Sequence, residues 1–202
     1  MLLSEKGLTR ALKDAYKGGG YTINNTEGQI QIYTGRWYVR STWDKFPVKA
    51  LATIVEHMGQ LPTEEGAWNL SKAGEAQSVM QTKVGEDVAR WELGEQERAG
   101  VQVMVVPVTF GGVQVLQART KSYACYGVQA ADLGIVSNGD RAATNAVARG
   151  NDLLYREDGN DDVLVVIQGV RPSAWTGADD WAAKAWAALE TVPLSAERER
   201  LG

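Results

Sequence analysis

Two amphipathic segments in the first third of the chain predict helices. Residues 4–17 carry apolar side chains at spacings of three and four residues, and Ser4 is a suitable N-cap. The run of glycines at 18–20 ends this helix. Residues 48–59 repeat the helical spacing. The predicted buried residues of the two helices are Leu8, Ala11, Leu12 and Ala15 in the first, and Leu51, Ile54, Val55 and Met58 in the second.

Between these helices, short segments of alternating side-chain character predict a β-meander. Three strands are expected, at 21–24, 29–33 and 36–42. The connections at 25–28 and 34–35 contain Asn and Gly, which favour tight turns.

The strongest strand signal lies in the middle of the chain. Residues 101–110, the pair Gly111-Gly112 and residues 113–120 predict a hairpin with a two-residue turn. Pro107 has no N–H to donate, so the first strand lies at an edge there or contains a bulge. Residues 122–128 are a candidate third strand.

The last third of the chain predicts one more strand between two helices. Residues 140–154 are interpreted as a helix that ends near Gly150. Residues 163–170 form an apolar run that indicates a strand buried on both faces. Residues 179–190 predict a final helix. The expected buried face of this helix consists of Trp181, Ala185, Ala188 and Leu189.

Together these elements predict an α+β fold. We expect a mainly antiparallel sheet, made of the N-terminal β-meander and the central hairpin, packed with about four or five helices. Within 61–100 the pattern is weak; residues 86–93 are interpreted as a helix, with a strand as the alternative. One domain over 1–202 suits the length, with a division near 94–100 as an alternative. The predicted core residues are Trp37, Leu51, Ile54, Val55, Val103, Val105, Val165 and Ile167.

Composition narrows the class of protein. Hydrophobic residues make up 44% and charged residues 23%, which is typical of a globular chain. No run approaches the roughly 18 apolar residues of a membrane span, and the first residues do not resemble a secretion signal. Cys125 is the single cysteine, so an intrachain disulfide is excluded and a reducing, cytoplasmic setting is expected.

Charge is distributed in alternating blocks. The whole chain carries −4, but residues 1–60 carry +3, 61–100 carry −4, 101–150 carry +2 and 151–202 carry −5. A uniformly basic nucleic-acid binder would not show this pattern. Alternating blocks fit a two-signed surface that docks on a partner.

Candidate catalytic and metal-binding residues are few. His57 is the single histidine, so a nucleophilic enzyme would have to combine His57 with Cys125 or an acidic residue. The acidic loop at 157–162 lacks calcium-loop spacing. Its carboxylates are Glu157, Asp158, Asp161 and Asp162. We therefore predict no catalytic residue, no bound metal and no cofactor.

The segment YTGRWYVRSTW, residues 33–43, is the best candidate binding surface. Alternation on a strand places Trp37 and Val39 on the core face, which leaves Arg36, Tyr38 and Arg40 on the other. Arginine beside an aromatic ring is common in interface hot spots and in nucleic-acid grooves. We predict that these three residues form an exposed binding surface with Lys45 at its rim, although a merely solvated sheet face has the same pattern.

Two segments carry a resemblance to other proteins. RALKDAYKGGGYTI at 10–23, followed by VKALATIVEHMGQLP at 48–62, resembles uncharacterised small proteins of phages and mobile elements of gut Firmicutes. Such proteins often bind a host or element-encoded protein, and anti-CRISPR proteins are one class of them. The resemblance implies an interaction protein and identifies no functional residue.

The function predicted from the sequence is therefore that of a non-enzymatic interaction protein. One form of this hypothesis is a phage-type inhibitor that binds a host defence protein such as a CRISPR nuclease. The alternative is a direct nucleic-acid-binding protein that uses the Arg36, Tyr38 and Arg40 face. A small enzyme that uses His57 with Cys125 is the third hypothesis.

Overall fold

The computed structural model describes residues 1–79, 100–119, 122–139, 146–157, 162–170 and 180–194. Within these ranges the chain forms four α-helices and eleven strands. The helices are α1 (Glu5–Gly18), α2 (Val48–Met58), α3 (Ala130–Leu133) and α4 (Asp180–Leu189), with a short 3₁₀ turn at Trp43–Lys45. The strands are β1 (Tyr21–Thr26), β2 (Gln29–Tyr33), β3 (Trp37–Thr42), β4 (Gly66–Ser71), β5 (Gly74–Val79), β6 (Val101–Phe110), β7 (Val113–Ala118), β8 (Cys125–Gln129), β9 (Ala146–Arg149), β10 (Asp152–Arg156) and β11 (Val163–Ile167).

All eleven strands join in one antiparallel sheet, and this corrects the predicted fold class. Their order is β5-β4-β1-β2-β3-β11-β10-β9-β6-β7-β8, and the sheet is not closed. The prediction of an α+β fold with a separate meander and hairpin is wrong, because β3 pairs with β11 and β9 pairs with β6. These pairings bring together segments far apart in sequence, which local patterns do not reveal.

The N-terminal elements agree with the sequence pattern. Ser4 caps α1 by accepting a hydrogen bond from the Gly7 N–H at 3.2 Å. The meander β1–β2–β3 is confirmed by its two antiparallel ladders. In α2 the buried residues are Ala50, Thr53 and Ile54. The buried face of α2 is therefore rotated about the helix axis from the predicted one, since Leu51, Val55 and Met58 of the predicted face are only half-buried.

The central hairpin β6–β7 is also confirmed. Gly111 and Gly112 both have positive φ, 53° and 85°, as a type I′ turn requires. The ladder shifts register between Val105 and Thr109, so Pro107 lies in a bulge, one of its two predicted settings. The side-chain amide of Gln114 donates to the Val106 carbonyl at 2.6 Å within this irregular stretch.

Two other regions differ from prediction. The helix predicted over 140–154 is wrong for its described part, because β9 and β10 form a hairpin there and Gly150 turns with φ 57°. Residues 66–79, where no strand was predicted, form the hairpin β4–β5. The helix predicted at 86–93 and residues 94–99 of the alternative domain division lie outside the described residues.

The sheet is covered on both faces. Helices α1 and α2 lie on the first face, where the main core includes Leu8, Leu12, Ile54 and Val39. Helix α4 lies on the second face, where Trp186 packs with Val106 and Val115. Of the predicted core residues, five are buried and three are half-buried. The buried ones are Trp37, Ile54, Val103, Val165 and Ile167, and the half-buried ones are Leu51, Val55 and Val105.

The predicted inner face of the last helix needs correction. Ala182 and Trp186 are its buried residues, whereas Trp181 is 58% exposed and Ala188 is exposed. A helix rich in alanine offers several similar apolar faces, so composition alone does not determine which one is buried. No described helix has the length and apolar character needed to cross a membrane.

Candidate functional site

The surface predicted on β3 is not exposed as a unit. Tyr38 is fully buried, so the prediction that it faces solvent is wrong. In the ladder it lies opposite Val166 of β11, and it packs with Leu154 and Leu164 on the second face. The sequence of β11 is entirely apolar and was predicted to be buried on both faces, so a strand beside it would also be buried. That β3 is this neighbour was not predictable from the local sequence.

The two arginines of this strand have different environments. Arg40 is half-buried opposite Leu164. Arg36 is exposed, and its Nη2 lies 3.3 Å from Oδ1 of Asp132, whose side chain is only 5% exposed. Burial raises the pKa of Asp132, while Arg36 opposes this and Asp14 adds to it. Arg36 thus compensates a buried carboxylate, and a role in binding a partner stays a prediction.

Lys45 lies beyond the opposite end of β3 from Arg36. Its Nζ is 2.8 Å from Glu157 Oε2 and 3.3 Å from Asp162 Oδ2. The hydrogen bond from Lys45 to Glu157 is the main cause that raises the pKa of this lysine. Lys45 joins the end of β3 to the residues that flank 158–161, so the structure does not bring it together with Arg36 and Tyr38.

His57 and Cys125 occupy separate environments. His57 stacks on Tyr16, and its Nδ1 is 3.0 Å from the Tyr21 hydroxyl. Cys125 lies on β8 next to Gln117 and Glu190, and burial raises the pKa of its thiol to about 11. The geometry therefore does not support a His57–Cys125 pair.

Within the described part of the chain, no three His, Cys, Asp or Glu side chains are grouped as metal ligands would be. Of the acidic loop, Asp158 and Asp161 lie outside the described residues. Glu157 and Asp162 bind Lys45 instead.

The most strongly patterned charged surface lies on α1. Lys6, Arg10, Lys13 and Lys17 follow one another at spacings of four, three and four residues. This spacing places them on one face of the helix, opposite the buried residues, and they span about 16 Å along the axis. All four are exposed. Together with Lys49 of α2 we call them the basic ridge.

The ridge is supported by the packing of α1 against α2. Lys49 Nζ is 2.9 Å from Glu5 Oε1, and Lys13 Nζ is 3.7 Å from Glu56 Oε2. The order of these contacts shows that the two helices run parallel. The hydrogen bond from Lys49 also lowers the pKa of Glu5. An open depression of about 460 Å³ is lined by the ridge residues with Glu5, Thr9 and Asp14.

The ridge keeps a positive charge despite its ion pairs. Its five cations face three carboxylates, since Arg10 lies 3.6 Å from Asp14. Lys6 and Lys17 form no ion pair with a described residue. Like charges three or four residues apart destabilise a helix by about 0.2–0.5 kcal/mol per pair. Lys6 also lies in the first turn, where the helix dipole disfavours a cation. If the exposed face of α1 served solubility alone, alternating positive and negative side chains would make the helix more stable than a row of cations does.

An aromatic group adjoins the C-terminal end of the ridge. Tyr16 and His57 stack with centroids 3.8 Å apart and planes inclined by 4°, and Tyr21 contacts the histidine from the side. We call Tyr16, Tyr21 and His57 the aromatic corner. Burial lowers the pKa of His57; Glu56 opposes this and Lys13 adds to it. The ring is therefore neutral at pH 7.

The basic ridge was missed in the sequence, although the helix that carries it was predicted. The sequence does contain a signal for the ridge: the Lys and Arg residues of 4–17 repeat with the helical period on the side opposite Leu8 and Leu12. The sequence prediction for this helix concerns only its apolar face.

Comparisons of the chain with protein-family models, curated proteins and solved structures give no significant match. The resemblance to phage proteins thus stays a prediction.

Proposed function

We propose that this chain is a non-enzymatic nucleic-acid-binding protein that holds a phosphate backbone on the basic ridge. The observation that carries the proposal is the row of four exposed cations on α1, opposite its buried face. Lysine and arginine are common phosphate-contacting residues in nucleic-acid complexes. A row of cations can follow successive phosphates, and bound phosphates relieve the repulsion within that row.

The dimensions of the ridge suit a phosphate backbone. A span of about 16 Å along the helix is long enough to contact several successive phosphates of one strand. Lys6 and Lys17 mark the two ends, and neither is neutralised by a described carboxylate. Because the net charge of the whole chain is −4, the attraction is local and binding should depend on this surface alone.

A protein partner is the second candidate. Glu5, Asp14 and Glu56 lie among the cations, which makes the surface two-signed as a protein interface can be. A phage-type inhibitor of a host defence protein is the form of this hypothesis that the resemblance suggests. Stoichiometric capture of one acidic protein through the ridge would favour it.

The test compares two double variants of equal charge. Lys6→Ala with Lys17→Ala removes both ends of the ridge. Arg119→Ala with Lys184→Ala removes two exposed cations elsewhere, one directly after β7 and one on α4. Fluorescence anisotropy measures the affinity for a labelled oligonucleotide of about 16 nucleotides at low salt. Loss of two phosphate contacts should weaken binding by tenfold or more for the ridge variant, on the order expected at low salt.

The Arg119/Lys184 variant should bind within about twofold of the wild type, because its charge change is the same but lies elsewhere. Thermal melting of both variants provides the folding control. Equal loss in the two variants would show that net charge alone matters, and would contradict the proposal. Binding of polyglutamate but not of any oligonucleotide would favour the protein partner instead.

A further inference from the structure

An open depression lies beside the aromatic corner, at the C-terminal ends of α1 and α2. It has a volume of about 670 Å³, within the range of small-ligand sites. Tyr16, His57 and Lys72 line it together with small residues. Those small residues are Gly59, Ala73, Gly74 and Ala76. The small side chains leave room for a flat ring next to the aromatic pair.

We infer that this depression receives one base of a single-stranded nucleic acid whose phosphates follow the basic ridge. The inference rests on the proposed function and names its substrate class. Tyr16 is adjacent in sequence to Lys17, and Lys13 is close enough to His57 to shift its pKa. A strand that leaves the end of the ridge therefore reaches the aromatic corner directly.

The electrostatics of the depression favour a neutral ring over a phosphate. Two parallel helices end here, and helix C-termini carry partial negative charge. Lys72 is exposed on the wall formed by the β4–β5 turn, where it can contact the next phosphate. Base–aromatic stacking beside a cationic track is the usual way in which single strands are held.

The walls of the depression are fixed by hydrogen bonds. The Lys72 N–H donates to the Tyr16 carbonyl at 2.9 Å, which joins the β4–β5 turn to α1. The Gly59 N–H donates to the Val55 carbonyl at 2.8 Å and ends α2 with φ 85°.

The orientation of His57 follows from its partner. Burial raises the pKa of Tyr21, so its hydroxyl keeps the proton, and among described residues its hydrogen-bond partner is His57 Nδ1. In the tautomer in which the phenol donates to Nδ1, the proton of the neutral imidazole lies on Nε2. This N–H is then available to a carbonyl group on a base edge.

The test uses three probes of equal length: an oligothymidylate, a fully abasic strand and a duplex. The abasic strand keeps the phosphates and removes every base. Wild-type protein should bind oligothymidylate about tenfold or more tightly than the abasic strand, the ratio expected for one stacked base. Tyr16→Leu should remove this difference while duplex affinity stays within about twofold. Tyr16→Phe, which keeps the ring, should behave as wild type.

The outcomes separate this inference from the proposed function. Equal affinity of the wild type for oligothymidylate and the abasic strand would overturn the base site and leave the ridge proposal standing. A Tyr16→Leu variant that keeps the full preference would do the same. If Lys6→Ala with Lys17→Ala binds all three probes as wild type does, the ridge proposal itself fails. A protein that binds polyglutamate as tightly as oligothymidylate would also overturn the base site.

Discussion

Gly7 is the residue at which α1 comes closest to the segment that follows α3. A Cβ atom at Gly7 would overlap the backbone carbonyl oxygen of Gly134. The same region is joined by backbone pairing, since the Ser4 N–H donates to the Ile135 carbonyl at 2.8 Å and Leu3 bridges Val136. The close approach of two backbones therefore depends on the absence of a side chain at this position.

Gly7→Ala is predicted to lower the free energy of unfolding by about 1–3 kcal/mol, the usual effect of overpacking. Helix propensity alone predicts the opposite sign, a gain of about 1 kcal/mol. Gly18→Ala is the matched control, because a Cβ there would have no neighbour within 4 Å. Chemical denaturation of both variants measures the difference. A Gly7→Ala protein as stable as wild type would show that α1 does not pack in this way.

Asp132 is predicted to make the stability of the protein depend on pH. Because burial raises the pKa of this carboxyl, the folded state holds its proton more tightly than the unfolded state does. The stabilisation that comes from this tighter proton binding is fully present below the unfolded pKa of about 3.9. It is lost as the pH rises through the pKa of Asp132 in the folded state. The stability of Asp132→Asn relative to wild type should therefore increase between about pH 3.5 and pH 7.

Denaturant titrations of both proteins across this range measure the effect. Arg36→Ala should be destabilising at pH 7, where Asp132 is charged, and less so at the acidic end, where it is protonated. A pH-independent difference between Asp132→Asn and wild type would contradict the raised pKa.

At the scale of elements, one buried polar side chain joins the C-terminal end of α4 to the sheet. The amide nitrogen of Gln117 donates to the carbonyls of Val192 at 2.8 Å and Leu189 at 3.0 Å. Its oxygen accepts from the Leu194 N–H at 2.8 Å. Gln117 thus adds three hydrogen bonds to the turn that follows α4, whose Leu189 and Val192 carbonyls also accept from backbone N–H groups.

Gln117→Met is predicted to loosen α4 while the sheet stays intact. The substitution removes several hydrogen bonds, each of which contributes about 0.5–1.5 kcal/mol, so amides of α4 should exchange with solvent about tenfold faster or more. Gln114→Met, the same substitution three residues earlier on β7, should leave α4 protected because its amide bonds the β6 bulge. Equal exchange of α4 in both variants would contradict the anchoring role of Gln117.

Element by element, the sequence predicted what is local. The cap at Ser4, the Gly111-Gly112 turn and the bulge at Pro107 depend on neighbouring residues, and all three were predictable. The β9–β10 hairpin was not, because the alanines of β9 and the leucines of β10 fit a helix as well as a strand, and only pairing with β6 and β11 selects the strand.

At the scale of the whole molecule, the pairing of strands far apart in sequence explains why the predicted exposed surface on β3 was wrong. The prediction that Tyr38 faces solvent depends on one face of the meander being exposed, as is common in antiparallel sheets. The ladder with β11 instead places it beside Leu154 and Val166. The basic ridge depends on no strand pairing, since a single helix carries four of its five cations, and the pattern of those four is readable from the sequence alone.

The two layers of helix also separate the candidate site from the rest of the protein. α1 and α2 lie on the first face and α4 on the second, so the basic ridge and the Trp186 cluster are on opposite sides of the sheet. Variants on α4 and at the end of β7 are therefore suitable controls for charge changes on α1.

The salt dependence of oligonucleotide binding is the most direct test of the ridge. The slope of log affinity against log salt counts the phosphates neutralised, with about 0.7 per contact for a single strand. Lys6→Ala with Lys17→Ala should reduce the magnitude of the slope by about 1.4, because two contacts are lost. The Arg119→Ala and Lys184→Ala protein should keep the wild-type slope. Identical slopes for the ridge variant and the wild type would contradict the claim that the ridge holds a phosphate backbone.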